Sequence, residues 1–551
     1  MNNKIVEIRY GDVAPEAKEN FVPSASESEF NTISQLQQYN LNFPNYANPC
    51  ELYQTVLDGK AQAFPSVPES ANLGLWSEQI SNDDGTFTEP IVLELESAGQ
   101  YSSQGLTLTF DTYNGIFATI LSIKWLRITD EGITTIDEKE YTPDNASYFC
   151  RNFVENYNKV VITFYALNMP KNRLKLRVID YGYGTTFYGN ALKNVRLIQE
   201  IDPISSKIVI NTADFTIDSQ SAIEYSFQEK QPLSVYFNGK LKATTFVKSS
   251  RRQSRSLWRV QSEDYIGLLD GVPYYGGIYT NANAVDILED IFTVAKVPYI
   301  IDDVFANATV TGYIPYTTCR NALMQVVFAI CAVVDTSNSD VVKVFALEED
   351  VKQNVKLDRI MQGQNFDTEE TVTGVEVAAH TYKAISETAD AYDATESGGG
   401  NNIFVKFNEP LHDLAIINGE IVSSGTNYAV INASENCLLT GQKYEHTTQT
   451  RRKNNPVVLA GNVEKIVAVE GATLVSLGNV DTVLEMCYNW LVRTIKANMK
   501  IVEKRGAEND VINVGDRIKY ETEYLGEREG IVIRQAFNLN GGLIVKDSVI
   551  R

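Results

Sequence analysis

Histidine, tryptophan, cysteine and basic charge are all scarce in this chain of 551 residues. Only three histidines occur, His380, His412 and His446, and no serine or cysteine nucleophile motif stands near any of them. A Ser–His–Asp or Cys–His mechanism therefore has no support from spacing; only a triad assembled in space is left. The six cysteines, at positions 50, 150, 319, 331, 437 and 487, form no CxxC pair and have no histidine a few residues away. That excludes the common zinc-site patterns. So few thiols in so long a chain also argue against a disulfide framework. Lysine and arginine number 48 against 70 acidic residues, a net charge of −22. Phosphate backbones are gripped mainly by Lys and Arg that displace counter-ions, so nucleic acid is excluded as a specifically bound ligand. No apolar run approaches the roughly 18 residues of a membrane-spanning helix. Neither GxGxxG after a strand nor GxxxxGK[ST] occurs, which removes nucleotide binding. No calcium-loop pattern such as DxDxDG is present, although a lone calcium ion in a β domain stays open. The expectation is no catalytic, cofactor or metal residue.

Carboxylates are abundant and often adjacent: Asp83-Asp84, Glu263-Asp264, Asp302-Asp303, Glu348-Glu349-Asp350 and Glu369-Glu370. A glycosidase needs two carboxyl groups about 5–10 Å apart across a cleft. These pairs fall in turns or at strand ends, where solvated charge is the expectation.

Tyrosine (29) and phenylalanine (23) are plentiful, and Thr and Val recur in short runs, which favours strands. The length calls for several domains. Residues 1–67 are polar and aperiodic and read as an extended N-terminal arm. Residues 68–188 alternate in PIVLELESAG, LTLTFD, ATILSIKWLRITD and VVITFYALNM, separated by polar turns, the pattern of a β-sandwich or jelly roll with Trp125 in its core. Residues 189–270 form a meander with a hairpin at Asn238-Gly239, where positive φ is tolerated. Residues 271–375 switch to α+β. Asn283 caps a helix carrying Val285, Leu288, Phe292 and Ala295, ended by Pro298, and a second helix starts at Thr317 or Thr318 and carries Leu323, Val326, Val327, Ile330 and Val334. Residues 376–478 are β again, with a hairpin at Asn418-Gly419 and a loose tip at 397–402. Residues 479–551 hold a helix to about residue 497 and then strands that complete a barrel, the last hairpin turning at Asn540-Gly541.

Lys248, Arg251, Arg252 and Arg255 form a dense basic bend between two meander strands. Two readings stay open: charges that pair subunits, or a solvated hairpin loop. Tyr274-Tyr275-Gly276-Gly277 reads as a hinge in preference to a contact patch.

The succession SVYFNGKLKATTFVKS, WRVQSEDYIGLLD, NAVDILEDIFTVAKVPY, GYIPYTTCRNALMQVVFAICAVVDTSNSDVVKVFAL and VGDRIKYETEYLGEREGIVIRQAFNLNGG resembles the hub proteins of phage tail tips and baseplates, over residues 190–551. The resemblance implies a mainly β, multidomain fold: two hub-type β-barrels, a small α+β domain and, ahead of them, the jelly roll, which is similar to a carbohydrate-binding module. It implies a homotrimeric ring that joins the tail tube to the host-facing tip. Its partners would be other tail proteins (tail tube or distal tail, tip or fibre) and a host-surface glycan. DNA would pass through the ring without being specifically bound, and an acidic lumen would suit that passage. The protein would be a non-enzymatic virion component, made in the host cytoplasm. Two alternatives are a glycan-binding adhesin or receptor-binding tail protein, and a tail-associated cell-wall hydrolase.

Overall fold

A computed structural model describes residues 6–13, 17, 20–25, 45–46, 62–63, 75–112, 114–129, 132–218, 229–237, 239–457, 459–501, 512–538 and 544–550. Cys50, Asn238 of the first expected hairpin, the Asn540-Gly541 turn and most of the expected arm lie outside these residues. The chain is mainly β, with its longer helices at Ala284–Ala295, Cys319–Ala329 and Val480–Leu491. It divides into two compact units, 1–189 with 226–240, and 190–225 with 241–551.

The first unit is built on the alternation read at 68–188. An antiparallel sheet runs in the order Val178–Asp180, Thr86–Thr109, Ser147–Leu167, Ala118–Thr129, Gly132–Tyr141, and Val22–Ala25 adds to Thr86–Thr109. Its inward residues include Leu93, Leu95, Ile123, Ile162 and Phe164, and Trp125 is fully buried among them. A separate set places Val6–Val13 between Gly182–Tyr188 and Pro232–Phe237, with Ile8 opposite both Phe187 and Val235. Four stretches of the segment expected to be an arm are strands, Val6–Val13, Val22–Ala25, Asn45–Tyr46 and Gln62–Ala63. For the first the reason is local: Ile8 and Tyr10 alternate with polar residues and are fully buried. Arg9 fastens its strand further, both Asp180 carboxylate oxygens lying 2.8 Å from one guanidinium nitrogen.

The second unit carries one long sheet path, in the order Lys240–Arg252, Leu257–Glu263, Thr212–Asp218, Leu192–Glu200, Gly526–Asn538, Ile544–Ile550, Ile495–Ile501, Asn365–Thr368. Arg517–Thr522 pairs with Gly526–Asn538 and carries Gln353–Val355 in parallel. The meander is therefore hydrogen-bonded to the C-terminal strands through Leu192–Glu200, with Arg196 opposite Asn538 and Glu200 opposite Arg534.

Both expected helices of the α+β segment form. Asn283 caps Ala284–Ala295 by accepting from Val285 N at 2.8 Å, and the helix closes at left-handed Lys296, before Pro298. Thr318 caps Cys319–Ala329. Val334, expected on that helix, instead lies in Val333–Asp335, antiparallel to Val342–Phe345. Two other expectations shift. Asn418-Gly419 is no hairpin turn: it lies inside Leu411–Ser424 as a bulge, with Asn418 at φ 53° and a register shift beside it. A Cβ at Gly419 would stand 2.6 Å from the Asn432 carbonyl oxygen, so the bulge needs glycine. The last helix stops at Leu491, because Ala497, Met499 and Ile501 bury their side chains on a strand instead.

Asp264 departs from the expected solvated carboxylate. It is wholly buried, caps Tyr265–Leu269 through Ile266 N at 3.1 Å, and accepts from Thr336 Oγ1 at 2.6 Å and Asn211 N at 3.1 Å. Burial pushes its carboxyl up to about 7 against these donors. Its folded pKa lies above the unfolded value of 3.8, so its stabilisation is full below 3.8 and is lost as pH rises through about 7. We expect the wild-type melting midpoint to fall from pH 5 to pH 8 more steeply than that of Asp264→Asn. Asp264→Ala should cost about 2–4 kcal/mol through orphaned donors and a lost cap. Thermal melts across that pH range check both.

Candidate assembly interface

The basic bend sits where two antiparallel strands of the second unit meet. Val247 pairs with Ser262 and Ser249 with Gln261, so Lys248 is the extra residue of a β-bulge. The bulge turns its ammonium onto Glu263, with which it forms a close ion pair. Beyond it, Arg251 pairs with Arg259 and Arg252 with Trp258. Adjacent strand residues point to opposite faces. Arg252 accordingly lies over the Trp258 ring at 5.6 Å, its Nε donating to the Ser254 carbonyl at 3.1 Å and an Nη to the Arg255 carbonyl at 2.9 Å. Arg255 is exposed. Arg251, also exposed, stands on the other face beside Arg259. Two of the four residues singled out by sequence are thus engaged within the chain.

The outer face carries residues the sequence reading did not single out. Arg259 aligns with Thr216 and then Lys193, and Gln261 aligns with Asp214 and then Arg196. Lys193 pairs with Asp218 at 2.5 Å. Lys193, Arg196, Asp214, Asp218 and Arg259 line a depression of about 660 Å³. Among the described residues neither Arg251 nor Arg259 makes an ion pair. Like charges directly opposite on neighbouring strands are unfavourable. The signal that could have found Arg259 was the alternation of WRVQSE once its hairpin partner was known.

The other sequence candidates disperse. Tyr274 is buried, its hydroxyl donating to Asp290 at 2.9 Å, and Tyr275 joins a half-exposed cluster with Tyr316, Phe404 and Tyr428. Cys150, Cys319, Cys437 and Cys487 are buried, and burial pushes the Cys319 and Cys331 thiols up to about 11 and Cys487 to about 12. Such thiols stay protonated at neutral pH and are poor nucleophiles.

Two of the three histidines meet. His380 Nδ1 lies 2.9 Å from His446 Nε2, with ring planes 6° apart and centres 5.2 Å apart, so the rings lie end to end. Tyr382 stacks on His446 at 4.5 Å. His412 is separate, bonded to Asp413 and to the Lys443 carbonyl. Among the described residues no serine or cysteine is hydrogen-bonded to any of the three rings. Burial, and then the His446 charge, hold His380 below the ordinary histidine value of 6.5. The neutral ring therefore contributes stability above 6.5 that is lost as pH falls through its depressed folded value. We expect His380→Phe to gain in melting midpoint relative to the wild type on acidification from pH 7 to pH 5. Calorimetric scans of both proteins test it.

No family model matches the chain, and no curated protein matches it. Solved structures to which it is similar include a tail protein from Neisseria meningitidis MC58, at 9% identity over 67% of this chain and 94% of that one, with a TM-score of 0.44. A second is the 43 kDa tail protein of prophage MuSo2 from Shewanella oneidensis, at 8% identity over 67% and 96%, with a TM-score of 0.42. A third is the prophage tail protein gp18 from Listeria monocytogenes EGD-e, at 11% identity over 67% and 91%, with a TM-score of 0.36.

Proposed function

We propose that this chain is a structural hub of a phage or phage-like tail tip or baseplate, a virion protein that trimerises into a ring between the tail tube and the host-facing tip. The observation that carries the reading is the pairing of Leu192–Glu200 with Gly526–Asn538. A hub built from two barrels of one polypeptide needs its first meander and its last strands in contact, and here they share main-chain hydrogen bonds. Closure into a ring supplies the same patch to each subunit in turn, so one complementary pair of surfaces is used three times.

In this reading Arg251 and Arg259 are the basic half of the subunit contact. They gain from an acidic neighbour what they lose by facing each other. Lys248 and Arg252 act within the chain, holding the bulge and the bend in shape. The channel passes DNA without binding it specifically.

Mass photometry of the purified full chain should find a trimer. The double reversal Arg251→Glu and Arg259→Glu should shift the population to monomer while circular dichroism stays that of a folded β protein. A monomeric wild type at micromolar concentration, or an unchanged trimer in the double variant, would count against the ring or the contact respectively.

A further inference from the structure

A second basic depression lies elsewhere in the second unit, where the end of the Val480–Leu491 helix meets the strands Arg517–Thr522 and Gly526–Asn538. It measures about 580 Å³ and is lined by Arg493, Arg517, Lys519, Glu527, Arg528, Glu529 and Gly530. Four cations face two carboxylates, on a chain whose net charge is −22. One of the carboxylates is already taken: Glu527 bonds Lys519 at 2.6 Å and Lys356 at 3.4 Å. Among the described residues Arg493, Arg517 and Arg528 make no ion pair.

One of these guanidiniums is held in place. Arg493 follows the helix, its Nε donating to the Asn489 carbonyl at 3.0 Å and its plane lying over Trp490 at 4.8 Å. That explains its position, and among the described residues its terminal nitrogens bond nothing. Arg517 is half-buried, and among the described residues its buried Nε–H has no hydrogen-bond partner. Burial and then the Arg517 charge hold the Arg493 guanidinium below its ordinary value. Arginine does not shed its proton to escape such a setting. Two half-buried like charges and an orphaned donor call for a counter-charge with several acceptor oxygens.

We propose that Arg493 and Arg517 form an oxyanion-binding site that takes a phosphate or carboxylate group. Planar guanidiniums present paired N–H donors that match the oxygens of either group, and such charge-assisted bonds are the strong ones. The depression exceeds one phosphate in size, so the oxyanion can belong to a larger molecule. This site is independent of the ring contact proposed above and shares no residue with it.

The test is isothermal titration of the full chain with inorganic phosphate and, separately, with glutarate. Saturable binding is expected with at least one, the tighter ligand identifying the source as phosphate or carboxylate. Arg517→Gln should weaken it at least tenfold and Arg517→Lys by less, because a lysine keeps the charge and loses the fork. Arg259→Gln, in the other basic depression, should bind as the wild type does. No saturable binding of either anion by the wild type, or equal binding by a folded Arg517→Gln, would overturn the site. If Arg517→Gln fails to fold, Arg493→Gln replaces it with the same two outcomes.

Discussion

Leu192–Glu200 and Gly526–Asn538 are joined by main-chain hydrogen bonds across residues roughly 340 apart in sequence, and the second unit depends on that seam. Closing a loop of that length costs about 5 kcal/mol of chain entropy before any contact forms. The return comes from burial of Val195 and Leu197 on one strand and Ile533 and Phe537 on the other. Register is set by a polar device. Gln199 and Gln535 stand opposite each other, both buried, and each amide reaches a different carbonyl, Lys242 at 2.6 Å and Ile512 at 3.0 Å. A slip of one residue would turn both amides to the other face and leave those bonds unmade. The ion pair of Glu200 with Arg534 at 3.1 Å marks the same register on the outer face.

A second set of buried polar groups fastens the α+β body to this sheet. Asp264 ends one meander strand, caps the next helix and binds Thr336, while Thr336 also receives Asn211 Nδ2 at 2.9 Å. Asn338 N donates to the Lys242 carbonyl, and Asn338 Nδ2 reaches Asn513 Oδ1 at 2.9 Å. Apolar packing would hold the body against the sheet in many positions. Directed bonds to single carbonyls hold it in one.

Much of this was legible from sequence, and the rest was not, for reasons that can be named. The caps at Asn283 and Thr318 and the alternation around Trp125 are local signals, and local physics realises them. Strand partners are not local. VRLIQEI reads as a strand in any sheet, and nothing in it names IVIRQAF as its neighbour. The bulge at Asn418-Gly419 has the residues of a hairpin turn, because both structures ask for positive φ. The Val480–Leu491 helix was read too long because Ile495 continues its apolar spacing, while burial of Ala497, Met499 and Ile501 obeys a period of two. Asp264 looks like surface charge until Thr336 and Asn211 are brought to it.

The basic bend shows how a composition signal changes meaning once the pleat is known. Four cations within eight residues suggest one patch, yet the Lys248 bulge and the alternation divide them: Lys248 to Glu263, Arg252 to Trp258, and Arg251 to the far face. What remains outward, besides Arg255 in the bend, is a pair drawn from two strands, Arg251 with Arg259. A pair of like charges directly opposite each other is a cost to the chain, and an acid standing against the pair would recover it. On a chain with this excess of carboxylates another copy can supply one. The same reasoning applies to Arg493 and Arg517, with a difference. There the charges are half-buried beside a donor that bonds nothing among the described residues, and an oxyanion entering the depression would supply the counter-charge.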